Sequence, residues 1–348
     1  MTGLTTLMRT EMLEAPLRVR EQLARNADPM RAAGERLRAL APPFAATLAR
    51  GSSDQAAAFA KVLLETRAGV PVLSHSPSIG SLYHATSARF AGVPLIAISQ
   101  SGRSPDLIAA AREAQRQGAI VVAIVNDATS PLAGLADIAI PVHAGAERSV
   151  AATKSLIATL VALVHLAAEW SGDATLHAAL ATVADRLDTA AAHDWGAAVP
   201  LLADAASLLV LGRGPTLPIA GEAALKLKET SGLHAEAFSV AEVAHGPMTL
   251  IGADDPVLLF APADAARAGV AERVADFTAR GARVIATGPR DAVGGASLIL
   301  PAADEGDDAF VAAIAGLQAF YGLAEHLARA RGRDPDQPPH LAKVTRTL

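Results

Sequence analysis

Residues 93–125 read VPLIAISQSGRSPDLIAAAREAQRQGAIVVAIV and contain the pattern that decides the fold of this chain. The apolar runs Val93–Ile98 and Ala119–Val125 predict two buried strands, and Ser104–Gln117 between them predicts a helix. Short apolar strands separated by helices are typical of a parallel sheet that is covered on both faces. This stretch therefore predicts the α/β class.

The same alternation extends outward along the chain. Around this stretch we predict strands at Pro43–Ala49, Val70–Ser74 and Ile138–Val142, with helices at Asp54–Arg67, near Ala151–Trp170 and up to about His193. Farther along we predict strands at Ala206–Leu211, His234–Phe238, Val257–Ala261 and Arg283–Thr287, with helices at Leu217–Ser231, Ala263–Arg280 and Asp307–Ala330. The segment up to about Leu40 is helical in pattern, and Pro16 and Pro29 punctuate it.

Two halves of the chain repeat. Arg50-Gly51 lies 163 positions before Arg213-Gly214, and Gly118-Ala119 lies 163 positions before Gly281-Ala282. This shared spacing favours duplication of one α/β unit. We therefore predict two tandem domains, each a doubly wound, mostly parallel sheet between helices, and divide the chain into a helical segment (1–40), a first domain (41–195), a second domain (196–330) and a tail (331–348).

Composition excludes several classes of function. The net charge of -5 and the lack of a basic stripe argue against a nucleic-acid partner. The absence of cysteine removes disulfides, thiolate metal sites and a cysteine nucleophile, and it favours the cytoplasm. The longest apolar run, Leu156 to Ala168, is too short to span a membrane. The ten histidines show no metal-ligand spacing, and no nucleotide-binding loop is present, so we expect neither metal nor cofactor.

Two hydroxyl-rich turns follow predicted strands. Ser99-Gln100-Ser101-Gly102-Arg103-Ser104 leads from a strand into a helix, and Gly51-Ser52-Ser53 repeats the arrangement after an earlier strand. A helix N-terminus with several hydroxyls binds a phosphate dianion without needing lysine. Ordinary helix capping is the alternative, and it is the stronger interpretation for the second turn taken alone.

The candidate catalytic groups are three residues of one predicted helix, one loop histidine and one lysine of the tail. Glu222, Lys226 and Glu229 lie at positions i, i+4 and i+7, so their side chains share one helix face. A carboxylate beside an ammonium suits proton transfer between adjacent carbons of an opened sugar. The alternatives are a surface salt-bridge ladder for the three, a structural loop residue for His245, and a solvated side chain for Lys343.

Together these motifs resemble the sugar isomerase (SIS) domain family, and within it the isomerase half of glutamine–fructose-6-phosphate amidotransferases. The resemblance covers nearly the whole chain and rests on Ser99-Gln-Ser-Gly102, Val150-Ala-Ala-Thr-Lys154, Leu211-Gly-Arg-Gly214, Ala224-Leu-Lys-Leu-Lys-Glu229, His234-Ala-Glu-Ala237, His245-Gly-Pro247, Asp336-Gln-Pro338 and Leu341-Ala-Lys343. So many motifs in one order are far more specific than any single one.

The resemblance implies a role for each matching residue. Glu229 matches the base that moves a proton between C1 and C2, and Lys226 and Glu222 match its companions. His245 matches a ring-opening histidine contributed by the neighbouring subunit of a homodimer, with sites between subunits. Lys343 matches a tail lysine that meets the substrate carbonyl as a Schiff base. The residues that match sugar-phosphate binding are Gly51, Ser52, Ser53, Ser99, Gln100, Ser101, Ser104, Val150 and Ala151.

Departures from the family pattern bear on the activity. About forty residues precede the first α/β pattern and no cysteine is present, so we expect no glutaminase activity. Ala152, Arg103 and His340 replace a serine, an acidic residue and an asparagine of the family pattern, which bears on substrate preference. We expect a glucosamine-6-phosphate deaminase. A ketose–aldose isomerase, a fructosamine-6-phosphate deglycase, a galactosamine-6-phosphate deaminase, an ammonia-dependent aminotransferase and a non-catalytic sugar-phosphate sensor remain as alternatives.

Overall fold

The structure is a computed structural model that describes residues 5–83, 85, 88–302 and 306–343. Its helices are α1 (Leu7–Leu40), α2 (Ser52–Leu63), α3 (Pro77–Ser81), α4 (Pro105–Arg116), α5 (Pro131–Leu135), α6 (Lys154–Ser171), α7 (Ala174–Ala191), α8 (Val199–Leu202), α9 (Leu217–Ser231), α10 (Val270–Ala279), α11 (Arg290–Val293) and α12 (Ala309–Ala330). Its strands are β1 (Ala45–Leu48), β2 (Val72–Ser74), β3 (Pro94–Ser99), β4 (Ile120–Val125), β5 (Ile138–Pro141), β6 (Ser207–Gly212), β7 (His234–Ser239), β8 (Pro256–Phe260), β9 (Arg283–Thr287) and β10 (Leu298–Ile299).

The chain forms two compact units, each built around one sheet. The first-sheet unit comprises residues 15–147, 154–181 and 342–348, and the second-sheet unit comprises residues 1–14, 148–153 and 182–341. Each unit therefore contains three separate segments of the chain. The four consecutive segments proposed from the sequence stay a prediction.

The two sheets have the same topology. The strand orders are β2-β1-β3-β4-β5 and, read in the corresponding direction, β7-β6-β8-β9-β10, and the strand pairs are parallel. The registers also correspond, because Ala45 pairs with Val72 in the first sheet and Ser207 pairs with His234 at the same offset in the second. The predicted α/β fold with two tandem halves is confirmed.

Apolar strand residues form the core of each unit. Every residue of β3 and of β8 is buried, as expected for central strands that are covered on both faces. In the first-sheet unit, Leu95 and Val121 of neighbouring strands pack with Leu107 of α4 in one cluster. Because the strands are parallel, their carboxyl ends meet at one edge of each sheet, which is where ligands bind in such folds.

The structure corrects some predicted boundaries. Helix α1 continues through Pro16 and Pro29 without interruption, so the prolines do not divide it. Helix α10 begins at Val270 rather than near Ala263, because Gly269 adopts a left-handed conformation just before it. The short strand β10 was not predicted, since two residues carry too little periodicity to be recognised.

Two long helices are strongly apolar. The run Leu156 to Ala168 lies within α6 and is buried along its length. Among the described residues, α12 alone is long and apolar enough to cross a membrane by length and composition, and 83% of its most apolar window is buried inside the protein. Core helices pass the same test.

Candidate active site

Helix α9 positions the three residues singled out from the sequence. Pro218 stands in its first turn, and Gly232 ends it in a left-handed conformation with φ 58°. Ala223 and Leu227 are buried on the side of the helix that also carries Glu222 and Lys226. The chain therefore places two charged side chains in the core, which is costly unless they are paired.

The three side chains form a cluster, which we call the α9 acid–lysine cluster (Glu222, Lys226 and Glu229). The Nζ atom of Lys226 lies 3.5 Å from Oε1 of Glu222 and donates a short hydrogen bond to Oε2 of Glu229. The side chains of Glu222 and Lys226 are each 1% exposed, whereas that of Glu229 is 22% exposed. This burial argues against the surface salt-bridge alternative.

Tyr321 extends the cluster, and sequence reasoning missed it. Its hydroxyl lies 3.3 Å from Oε1 of Glu222 and donates to it, and the ring is fully buried on α12. An isolated tyrosine in an apolar helical pattern carries no signal for such a contact. Chemically, Tyr321 and Lys226 hold Glu222 in place, while Lys226 orients Glu229, whose carboxylate reaches solvent and can exchange protons.

His245 lies on an exposed turn of the second-sheet unit. The turn Glu242–His245 follows β7, and Gly246 after it has the backbone angles φ 149° and ψ -58°. Within the described part of the chain, the imidazole of His245 has no hydrogen-bond partner. The side chain is therefore available to a ligand or to another protein chain.

The predicted phosphate turn has a defined geometry in the first-sheet unit. Ser99 ends β3 and its Oγ accepts a hydrogen bond from the Gly102 N–H at 3.1 Å. Gly102 has φ 60°, and a Cβ atom at this position would lie 2.1 Å from the Oγ of Ser130. Ser104 stands at the N-cap of α4, yet its hydroxyl makes no capping hydrogen bond. The capping alternative therefore does not account for Ser104.

The second hydroxyl turn lies at the same edge of this sheet. Gly51 has φ 59° and precedes Ser52 and Ser53, which form the first turn of α2. This N-terminus also lacks a side-chain cap. Because β1 pairs with β3, the turns that follow these two strands emerge side by side.

Arg103, which departs from the family pattern, forms an ion pair within the first-sheet unit. Its Nη2 lies 2.8 Å from Oδ2 of Asp127. Hydrogen bonds from Thr129 and Arg103 lower the pKa of Asp127 below its ordinary value. The guanidinium charge of Arg103 is thus directed to a neighbouring carboxylate at the rim of the turn.

Lys343 contacts a buried carboxylate that the sequence did not single out. Its Nζ lies 3.0 Å from Oε2 of Glu147, within the first-sheet unit. The Glu147 side chain is 0% exposed and also accepts hydrogen bonds from Ser155, at 2.6 Å from the hydroxyl and 3.1 Å from the amide. The solvated-tail alternative therefore does not describe Lys343.

Val150 and Ala151 belong to the second-sheet unit. The amide of Val150 donates to the carbonyl of Asp336 at 3.3 Å, and Ala151 is buried. Their proposed contact with substrate stays a prediction.

The second-sheet unit also contains two cavities. A cavity of about 390 Å³ lies at the carboxyl ends of β8 and β9 and is lined mainly by apolar residues, with Thr216, Thr287 and Arg290 as its polar members. A cavity of about 240 Å³ lies at the amino ends of β6, β7 and β8 and includes His234. Neither is lined by a predicted catalytic residue. Among the described residues, no group of three or more acidic, histidine or cysteine side chains is placed to hold a metal ion.

Comparisons with known proteins identify the class to which this fold and site belong. A family model described as the SIS domain matches residues 45–169 and 201–287, which is more than half of the chain. The chain therefore belongs to the SIS domain family.

Particular relatives refine this assignment. The chain is 34% identical over 312 residues to a glutamine–fructose-6-phosphate aminotransferase (isomerizing) from Caulobacter vibrioides, covering 85% of this chain and 51% of that protein. The chain thus spans about half the length of the curated relatives it matches, and the shared half is their isomerase (SIS) part. The resemblance inferred from the motifs is confirmed.

Two solved structures are similar over nearly their full length. A candidate phosphosugar isomerase from Silicibacter pomeroyi DSS-3 is 41% identical, with a TM-score of 0.90, covering 95% of this chain and 100% of that one. The C-terminal domain of glucosamine-fructose-6-phosphate aminotransferase from Francisella tularensis is 27% identical, with a TM-score of 0.80, covering 97% and 99%. The similarity to both structures therefore extends over nearly the whole of this chain.

Proposed function

We propose that this protein is an aminosugar-phosphate deaminase that converts glucosamine 6-phosphate and water to fructose 6-phosphate and ammonia. One observation carries the proposal: a buried lysine holds two carboxylates, and only one of them, Glu229, reaches solvent. A fixed, partly exposed carboxylate is suited to take a proton from carbon and return it to a neighbouring carbon.

That geometry supports a reaction in which Glu229 carries a proton between neighbouring carbons of the sugar. With the sugar open, Glu229 removes the proton from C2, which leaves an enolate that bears the amine. The enolate oxygen takes up a proton from solvent, and an equivalent proton is released to solvent when ammonia leaves. The same carboxyl group returns the proton to C1, so the double bond moves to C2 and its nitrogen. Water then adds at C2 and ammonia leaves. Lys226 keeps Glu229 oriented through both transfers, because its ammonium donates directly to that carboxylate.

We assign the substrate phosphate to the two hydroxyl turns of the first-sheet unit. Ser104 supports this assignment because its hydroxyl is not used for helix capping. Two helix N-termini at one sheet edge present amide dipoles to an anion, so lysine is not required there.

We further propose that a second copy of the chain completes the site with His245. Supporting this, the turn that carries His245 is exposed, so its imidazole is accessible to another protein chain. We also propose a cytoplasmic location, in keeping with a chain that has no cysteine to protect or to oxidise.

The direction of the reaction follows from mass action. At low free ammonia, loss of ammonia from the aminosugar is favoured over its addition to fructose 6-phosphate. Ketose–aldose isomerisation, fructosamine 6-phosphate deglycation and ammonia-dependent synthesis would use the same proton transfer.

The test is to incubate the protein separately with glucosamine 6-phosphate, galactosamine 6-phosphate and fructosamine 6-phosphate, and to measure ammonia and ketose phosphate. We expect ammonia from glucosamine 6-phosphate, and a fall of at least about 10²-fold in kcat for Glu229→Gln. Glu272→Gln, at an exposed position of α10, is the matched control and should retain wild-type activity.

Each outcome decides between the alternatives. Ammonia from fructosamine 6-phosphate alone identifies a deglycase. Exchange between ketose and aldose phosphates without ammonia identifies an isomerase. Binding of a sugar phosphate with no turnover of any substrate identifies a sensor, and wild-type activity of Glu229→Gln eliminates the proposed base.

A further inference from the structure

Glu147 is a buried carboxylate that forms an ion pair with Lys343, a lysine of the C-terminal tail. Its carboxylate is 0% exposed, and the Lys343 Nζ lies 3.0 Å from it, with the lysine side chain itself 23% exposed. The pair therefore lies at the border between the protein interior and solvent. Because the carboxylate is shielded from water, removal of Lys343 would leave a buried negative charge without this cation beside it.

Ser155 fixes Glu147 independently of the lysine. Its amide donates to Oε1 at 3.1 Å and its hydroxyl donates to Oε2 at 2.6 Å. Ser155 stands in the first turn of α6, so the carboxylate is tied to the end of a rigid, buried helix. A carboxylate held by two bonds to a helix has a fixed position, and it transmits that position to whatever cation it binds.

We infer that Glu147 positions Lys343 for attack on the sugar carbonyl and accepts the proton that its ammonium must lose first. The inference rests on the proposed function and adds an imine to it: the family resemblance matches Lys343 to a lysine that meets the substrate carbonyl, and we place that step before the proton transfer by Glu229. An ammonium has no lone pair, so it cannot attack carbon. Glu147 is within direct proton-transfer distance of the lysine nitrogen.

Imine formation on Lys343 begins with a proton transfer to Glu147 and ends with the loss of water. The proton moves from the Lys343 ammonium to the Glu147 carboxylate, which leaves a neutral amine and a carboxylic acid. The amine adds to the carbonyl carbon, and a proton shifts from nitrogen to oxygen to give a carbinolamine. Glu147 then returns its proton to the departing hydroxyl, so water leaves, a protonated imine remains on Lys343 and the carboxylate is restored.

The test traps that imine. Wild-type protein is mixed with fructose 6-phosphate and borohydride, and the reduced adduct on Lys343 is measured by mass spectrometry, beside kcat and KM for ammonia release. For Glu147→Gln we expect a loss of adduct and a fall in kcat of about 10²-fold or more, with KM changed by less than about threefold. Glu147→Asp keeps the carboxylate and should recover part of the activity.

Two controls separate this role from a merely structural one. Ser155→Ala removes a hydrogen bond of Glu147 but not its charge, so kcat should fall by less than about fivefold. The double variant Glu147→Gln with Lys343→Met should be no slower than Lys343→Met alone, because both residues act in one step. An equal loss for Ser155→Ala and Glu147→Gln, or additive losses in the double variant, would overturn the inference.

A readout without catalysis distinguishes this inference from the proposed function. Trypsin cleaves after lysine, so the rate of cleavage after Lys343 reports how firmly Glu147 holds the side chain. We expect Glu147→Gln to be cleaved at least about fivefold faster than wild type, and Ser155→Ala to be cleaved near the wild-type rate. Faster cleavage without any ammonia release supports the positioning by Glu147 while rejecting the deaminase, and unchanged cleavage rejects the positioning.

Discussion

Replacing Lys226 with methionine tests whether the α9 acid–lysine cluster is a paired, buried site. Methionine fills nearly the same volume but removes the ammonium that lies between Glu222 and Glu229. Glu222, which is 1% exposed, would then keep a negative charge in the core with Tyr321 as its hydrogen-bond donor. Breaking a buried ion pair in this way costs about 3–5 kcal/mol.

We expect the free energy of unfolding of the second-sheet unit to fall by about 3–5 kcal/mol. For a unit of this size, each 1 kcal/mol lowers the melting temperature by about 2–4 °C, so we expect a fall of roughly 10 °C. Urea unfolding followed by circular dichroism and a calorimetric scan measure the two quantities. Activity should fall together with stability, because Glu229 loses the donor that orients it.

Two further variants sharpen the test. Lys228→Met changes an exposed lysine of the same helix and should cost less than about 0.5 kcal/mol. Glu222→Gln combined with Lys226→Met removes both buried charges, and it should recover much of the stability that Lys226→Met alone loses. If Lys226→Met were as stable as Lys228→Met, the lysine would not be carrying a buried charge, and the reasoning about the site would be wrong.

Substitutions at Tyr321, Gly102 and His165 test three other parts of the structure. Tyr321→Phe removes a hydrogen bond to the buried carboxylate of Glu222 and should lower the free energy of unfolding by about 1.5–3 kcal/mol, measured by urea unfolding. Phe320→Leu is the control at the neighbouring position: it removes packing and should leave kcat unchanged. Gly102→Ala should weaken sugar-phosphate binding by at least about tenfold, measured by calorimetric titration. Gly102 has φ 60°, and an added Cβ atom would lie 2.1 Å from the Oγ of Ser130, so the turn would have to move. Gly134→Ala is the control, because the space at its Cβ position is open, and it should bind as wild type does. Burial, followed by the nearby charge of His177, lowers the pKa of His165 from 6.5 to about 4. Between about pH 4 and pH 6.5, residue 165 therefore binds more protons in the unfolded chain than in the folded one. The contribution of neutral His165 to the free energy of unfolding is complete above about pH 6.5, and it falls by up to about 3 kcal/mol as the pH drops to 4. Unfolding of His165→Gln across that range should show a smaller slope, and a slope unchanged from wild type would contradict the assignment.

Much of the fold was predictable because its strands are short apolar runs between helices. Helix Leu217–Ser231 and strand Arg283–Thr287 agree with the structure at both ends. A predicted helix boundary was wrong where one backbone conformation mattered more than periodicity. The left-handed conformation of Gly269 precedes the first residue of α10. The convergence of Glu222, Lys226 and Glu229 was predictable as well, since helix geometry places i, i+4 and i+7 on one face.

Sequence patterns establish local features: which segments form strands and helices, which hydroxyls follow a strand, and which charges share a helix face. Three other features depend on packing in three dimensions: the burial of this face, the hydrogen bond that Tyr321 donates to Glu222 from 99 residues away, and the pairing of Lys343 with Glu147 from 196 residues away. Contacts over such separations depend on how whole elements pack, and periodicity along the chain carries no information about them. Lys343 and Glu147 form an ion pair because folding brings their charged atoms within 3.0 Å of each other.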